Sequence, residues 1–294
     1  MRVGIVILPE HRWALAAPRW RAAERYGFDH AWTYDHIGWR TLVDGPWFDA
    51  VPTLTAAALV TERIRLGTFV ASPNFRHPVS FARSLLALDD VSAGRFTLGV
   101  GAGALRGYDN LVMGGTELAA RARVDRFGEF LELTDALLTG ERTSYAGTYY
   151  RAVEARGAPG CVQRPRLPFL VAATGPRSMR LAARYGQGWV TTGTPADDLE
   201  HWWRVVGQRA ARFTEVCAEQ GRALATVDRF VSVDSAPGYS LTSVATFRDA
   251  LGRASELGFT DVVAHWPRPD GPYAGTEAVL ERVAAEVLPA LRSV

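Results

Sequence analysis

Asp35 and His36 stand side by side in the run Tyr34-Asp35-His36-Ile37-Gly38-Trp39, and histidine is the side chain that titrates near neutrality without help. A carboxylate that orients such a ring or raises its pKa equips it to give or take a proton, whereas a helix cap or polar loop pair uses the same residues without chemistry. The stretch Gly67 to Pro78 passes from strand-forming residues into a Pro-bounded turn, where Arg76 and His77 either face a ligand or begin a helix. Two further loops, Ala173-Thr174-Gly175-Pro176-Arg177-Ser178 and Thr191-Thr192-Gly193-Thr194-Pro195, place glycine and hydroxyls just ahead of helical patterns. Free N–H groups at a helix start, with a hydroxyl and Arg177, form a phosphate site; ordinary N-capping has the same signature. Gly99-Val100-Gly101-Ala102-Gly103 lets the backbone approach something closely, yet it matches neither the dinucleotide fingerprint nor a P-loop, and a tight strand exit fits it as well.

These residues need a scaffold that brings them to one place. Short β-rich runs alternate with longer helix-patterned stretches, the signature of βα units around a parallel sheet. Candidate strands are Arg2–Ile7, His30–Thr33, Arg65–Val70, Phe96–Val100, Phe169–Ala172, Gly188–Thr191, Arg229–Val233 and Asp261–Ala264, eight in all, as a closed (β/α)8 TIM barrel requires. Apolar residues recur at helical spacing in Trp13–Tyr26, Met179–Tyr185, Leu199–Gln220 and Ala278–Leu291. One excursion, residues 141–162, carries Gly, Tyr and Pro and reads as a short hairpin insertion before the fifth strand. Every loop singled out above follows a strand, and in this fold active sites sit at the C-terminal strand ends.

The chain has 294 residues, of which 48% are hydrophobic and 22% charged, composition that fits one large soluble domain spanning 1–294. A net charge of +2 without basic runs argues against nucleic acid as a partner. All 33 basic residues are Arg, so a Schiff-base lysine is excluded and anion recognition falls to Arg and backbone donors. Cys161 and Cys217 are too few for a disulfide scaffold and show no metal-site spacing, which points to a reducing cytoplasm and no metal. The opening run Val3–Leu8 is too short for a signal-peptide core, and no apolar stretch reaches membrane-spanning length, so no membrane partner is expected.

Taken together, the motifs resemble the luciferase-like monooxygenase superfamily, and within it the branch that uses the deazaflavin F420. The resemblance runs over nearly the whole chain. It is carried by Gly27-Phe28-Asp29-His30-Ala31-Trp32 leading to Asp35-His36, by Arg63-Ile64-Arg65-Leu66-Gly67-Thr68 leading to Phe75-Arg76-His77-Pro78, by Gly94-Arg95-Phe96 through Gly103, by Gly175-Pro176-Arg177, and by Tyr185-Gly186-Gln187-Gly188-Trp189. It implies a homodimeric barrel with the cofactor ring across the strand ends and His36, with Asp35 next to it, beside the reactive part of the ring. It further implies a non-proline cis bond between Phe69 and Val70, a ring-contacting hydroxyl at Ser72, and a phosphate region at Gly175, Pro176 and Arg177 with Thr191, Thr192 and Gly193. Gly103 and Ala104 belong to the implied cofactor site. Some F420-dependent sugar-phosphate dehydrogenases carry an acidic Glu where this chain has Ala104. Sugar dehydrogenation is therefore in doubt, and proton transfer must fall to His36, a carboxylate such as Asp35 or Glu10, or the substrate.

The resulting expectation is an F420-dependent reductase or dehydrogenase passing a hydride between deazaflavin C5 and a small organic substrate. An FMN-dependent monooxygenase is the alternative, and a non-catalytic flavin-binding relative is a third reading. Trp39 and Trp266, with Glu10, are candidates for the substrate pocket, although loop packing is the safer reading of the tryptophans.

Overall fold

In the computed structural model, which describes residues 1–104 and 107–292, the β-branched and aromatic runs pair as parallel strands and close on themselves. The barrel strands are β1 (Arg2–Val6), β2 (His30–Thr33), β3 (Arg65–Thr68), β4 (Phe96–Gly101), β7 (Phe169–Ala172), β8 (Gly188–Thr191), β9 (Asp228–Ser232) and β10 (Asp261–His265), with β5 (Arg142–Ala146) and β6 (Arg151–Arg156) forming a separate antiparallel hairpin. The circular order β1-β10-β9-β8-β7-β4-β3-β2 is that of a TIM barrel with one hairpin inserted before β7. Glu129 fastens the insertion, its carboxylate accepting from the backbone N–H groups of Thr148, Tyr149 and Tyr150 in the hairpin turn.

Helices α1 (Trp13–Tyr26), α2 (Ala50–Leu59), α3 (Pro78–Val91), α4 (Tyr108–Val112), α5 (Ala120–Thr139), α6 (Pro176–Tyr185), α7 (Leu199–Glu219), α8 (Val244–Glu256) and α9 (Glu277–Glu286) follow the strands. α9 stops five residues short of the expected Leu291, because Pro289 cannot continue the ladder. The main core lies between strands and helices, where Trp189 stacks on Phe213 at 4.4 Å and both are fully buried. Each such side chain contributes about 1.5–3 kcal/mol through burial.

A second apolar layer fills the barrel, built from Val6, Leu8, Trp32, Tyr34, Phe69, Leu170, Val190, Phe230 and Val263. Side chains two apart on a strand share a face. On β2 and its extension that rule sends His30, Trp32, Tyr34 and His36 toward the axis and Asp35 away from it. Near the N-terminal end of the barrel, Trp32 Nε1 donates to His30 Nδ1 at 2.6 Å and His30 Nε2 meets Asp261 at 3.0 Å. Gly4 makes room for this ring, since a Cβ there would fall 1.9 Å from His30 Nδ1.

Candidate active site

Two cavities open over the C-terminal strand ends and share His36, Val70, Ala172, Val190 and Thr192, so they are the two lobes of one groove. The larger, about 700 Å³, runs from His36 and Ser72 past Gly103 and Ala104 to the start of α6 at Gly175, Pro176 and Arg177. The smaller, about 430 Å³, lies over Phe69 and Thr192 and is walled by Tyr34, Trp39, Gly193, Asp234 and Tyr273.

The large lobe is built for negative charge. Its described lining includes Arg121, Arg123 and Arg177 and no Asp or Glu. Gly175 is the N-cap of α6, with Pro176 in the first turn, and nothing lies within 4 Å of where a Gly175 Cβ would be. The helix start therefore faces open space with free N–H donors and the positive end of the helix dipole. Arg123 donates to Gly103 O at 2.7 Å, while its Nε is buried without a partner among the described residues. An orphaned cationic donor beside a helix N-terminus fits the phosphate of a flavin-type cofactor. Arg177 itself is half-exposed and pairs with Asp125.

His36 sits where the lobes meet. Its Nδ1 lies 2.6 Å from Asp109 Oδ2, and Asp109 Oδ1 accepts from Ile37 N at 2.7 Å. A carboxylate only accepts, so the ring proton is assigned to Nδ1 and Nε2 is left as the free position. Trp47 Nε1 fixes the backbone by donating to His36 O at 2.8 Å. Asp109, from the short helix α4, was not expected: it lies far from His36 in sequence, and no spacing marks it.

The Phe69–Val70 bond is cis, as the resemblance implies, and both residues line the groove. Ser72 is buried on the large lobe. Gly103, at φ +77°, abuts Asn74, whose Nδ2 donates to Ala104 O at 3.3 Å. Thr192 and Gly193 reach the groove, and Arg209 holds their loop by donating to Gly193 O at 2.5 Å.

Four expectations need correction. Asp35 does not serve His36: its outward parity buries it against Arg76 at 2.6 Å, and Arg76 also holds Asp49 at 3.0 Å. Burial raises the Asp35 carboxyl above its ordinary range and Arg76 opposes that rise. Trp266, also of outward parity, packs in the main core, with Nε1 donating to Glu277 at 2.9 Å, and is absent from the groove. Glu10 is engaged by Arg268 at 2.8 Å and lines neither lobe. Thr191 is turned outward and buried, accepting from Gly193 N at 3.3 Å, so it shapes the loop instead of lining the groove. Arg76 and His77 form the turn and helix start, with His77 capping α3.

The smaller lobe adds residues that the sequence did not single out. Tyr34 and Tyr273 line it together with Asp234, and His265 stands behind them.

A parallel barrel with its groove at the strand ends, a helix N-terminus for an anion and a histidine at the mouth define a cofactor-dependent barrel enzyme. The chain belongs to the luciferase-like monooxygenase family, whose model matches residues 1–263. It is 32% identical to an F420-dependent glucose-6-phosphate dehydrogenase of Beutenbergia cavernae, over 92% of this chain and 91% of that protein. Its fold is similar to a coenzyme F420-dependent tetrahydromethanopterin reductase from Methanopyrus kandleri (TM-score 0.77, 20% identity, 98% and 99% of the two chains). It is equally similar to a monooxygenase from Streptomyces bottropensis (TM-score 0.79, 21% identity, 99% and 100%).

Proposed function

We propose that the protein is an F420-dependent oxidoreductase that passes a hydride between deazaflavin C5 and a small organic substrate. The observation that carries this reading is the continuous groove from the α6 N-terminus to His36, cationic at one end and aromatic at the other. The full-length relative with an F420-dependent name supports the deazaflavin over FMN; the barrel fold is common to reductases and monooxygenases and does not separate them.

On this reading Gly175, Pro176 and Arg177, with Arg121 and Arg123, hold the phosphate-bearing tail. Ser72, Val70, Gly103 and Ala104 on the large lobe, and Thr192 and Gly193 on the small lobe, would contact the rest of the cofactor. Bound there, the deazaflavin supplies two-electron hydride chemistry. His36, fixed by Asp109, would exchange through Nε2 the proton that the bound ring gains or loses with the hydride, within reach of both lobes. Ala104 brings no carboxylate to the groove, which sets this site apart from an enzyme that places an acid at that position. The same reading carries a homodimer in a reducing cytoplasm, with Cys161 and Cys217 buried and unpaired.

The test is consumption of cofactor. Reduced F420 offered with ketones, imines and activated alkenes, and oxidised F420 offered with alcohols, should be turned over by at least one class. F420 binding with no turnover across the panel would instead mark a non-catalytic binder.

A further inference from the structure

Behind the small lobe runs an unbroken chain of hydrogen bonds that the His36 mechanism does not use. Tyr273 Oη lies 3.0 Å from Tyr34 Oη, which lies 2.8 Å from His265 Nε2, and His265 Nδ1 lies 3.1 Å from Asp234 Oδ2. Asp234 is itself fixed, accepting from His265 N at 2.6 Å and Ser240 N at 2.8 Å. Tyr239 donates to His265 O at 2.7 Å. The chain joins the segments just beyond β2 and β9 and the end of β10 to the loop after β10, and His265 is 1% exposed.

The donor directions follow from the chemistry of the ends. Asp234 accepts only, so a neutral His265 carries its proton on Nδ1 and accepts at Nε2. Tyr34 must then donate to His265, and its oxygen must accept from Tyr273. Tyr273 is thereby left with oxygen lone pairs and no further partner among the described residues, in a residue that lines the cavity. Its backbone sits at φ +68°, unusual for a tyrosine, and is held by Arg268, which donates from its N to Tyr273 O at 2.9 Å and from Nη1 to Pro272 O at 3.2 Å. Its ring is clamped between His265 at 3.8 Å and Trp39 at 6.3 Å. A conformation of this kind, costing about 1–3 kcal/mol, persists where the surroundings fix a side chain in place.

We propose that Tyr273, positioned by Tyr34, His265 and Asp234, exchanges the hydroxyl proton of an alcohol substrate in the small lobe, which makes the natural pair an alcohol and its ketone or aldehyde. The inference rests on the F420-dependent reading for the hydride acceptor. In oxidation the carbinol C–H bond breaks as hydride leaves to deazaflavin C5, and the C=O π bond forms as the O–H bond breaks. The hydroxyl proton passes to Tyr273 Oη, the Tyr273 proton to Tyr34 Oη, and the Tyr34 proton to His265 Nε2. The imidazolium then stands against the Asp234 carboxylate, which offsets the cost of a buried charge. Reduction runs the same shifts backward. Arg40 and Arg268 act on the tyrosines as nearby cations and Asp234 as the opposing anion. The His36 ring meets Tyr34 edge-on at 5.9 Å.

A test independent of turnover uses 4-nitrophenol, whose ionised form absorbs at longer wavelength, with the cofactor-free protein at a pH where the free phenol is neutral. The parent should bind it ionised, and Tyr273→Phe and Asp234→Asn should bind it neutral, while His36→Ala should leave it ionised. With F420 and a secondary alcohol, Tyr273→Phe should lower kcat by about 10²- to 10⁴-fold and leave F420 affinity unchanged by fluorescence. The proposal is overturned if the parent fails to bind the phenol or binds it neutral, if Tyr273→Phe still ionises it, or if His36→Ala alone abolishes the ionised spectrum. Ionisation by the parent in a protein that does not bind F420 would overturn the deazaflavin reading and keep Tyr273 as the proton acceptor.

Discussion

Replacing Asp109 with asparagine isolates what the carboxylate does for His36. In the native site the two Asp109 oxygens accept from His36 Nδ1 at 2.6 Å and from Ile37 N at 2.7 Å, and Asp109 is buried. Asparagine keeps the size and one acceptor. Its carbonyl stays with the Ile37 N–H, so its NH2 turns to His36 and donates. Nδ1 must then accept, the ring proton moves to Nε2, and the position that faced the reaction as an acceptor becomes a donor. Inverting the tautomer in a histidine–carboxylate pair of this kind costs about 10⁴-fold in turnover, and a general acid or base contributes about 10²- to 10⁴-fold. We therefore expect kcat to fall by about 10²- to 10⁴-fold with F420 affinity unchanged. Two bonds to a charged acceptor, worth about 1.5–3 kcal/mol each, become neutral bonds of about 0.5–1.5 kcal/mol. The fold should thus lose about 2–3 kcal/mol by denaturant unfolding. Steady-state kinetics at saturating F420, with ¹⁵N spectra of the histidine ring, provide the assay. Parental kcat alongside an inverted tautomer would refute the reasoning.

Three further outcomes are expected. His36→Ala should lower kcat by about 10²- to 10⁴-fold with cofactor affinity retained, and His36→Asn should recover part of the loss only if the role is hydrogen bonding; loss of cofactor binding in both would make His36 a binding residue. Gly175→Asp places a carboxylate in the open space before α6 and should weaken F420 binding by about 10- to 10³-fold while the circular dichroism spectrum is preserved; parental affinity in the folded variant would remove Gly175 from the phosphate site. Burial alone would raise the Asp261 carboxyl, but bonds from His30, Arg2 and Thr260 hold it below the ordinary aspartate value. A depressed folded pKa stabilises the fold above about pH 4 and that stability is lost as pH falls through the folded value. The unfolding free-energy gap between parent and Asp261→Asn should therefore shrink below about pH 4, and a gap that stays constant with pH would count against this coupling.

Strand positions were readable from the sequence because β-branched and aromatic runs bounded by turn residues carry a local signal: β2, β7 and β8 have the expected limits, and the others shift by at most two residues at an end. Parity on those strands would also have placed Asp35, Thr191 and Trp266 on the outward face, since each follows an inward neighbour by one residue. The same count puts Tyr34 and His265 on the inward face, so the first half of the tyrosine relay was within reach of the pattern. Asp109 and Tyr273 were not. Asp109 sits on the short helix α4 and Tyr273 in the loop after β10, where tertiary contacts such as the Arg268 bonds that turn the backbone at Tyr273 set the course of the chain, and no periodicity encodes such contacts.

The central claim is that the groove between the α6 N-terminus and His36 holds a deazaflavin. Titration of the purified protein with F420 and with FMN in parallel, followed by cofactor fluorescence, tests it most directly. Saturable F420 binding that Gly175→Asp weakens, with FMN bound weakly or not at all, is the predicted result. Tight FMN binding in the absence of F420 binding would contradict it.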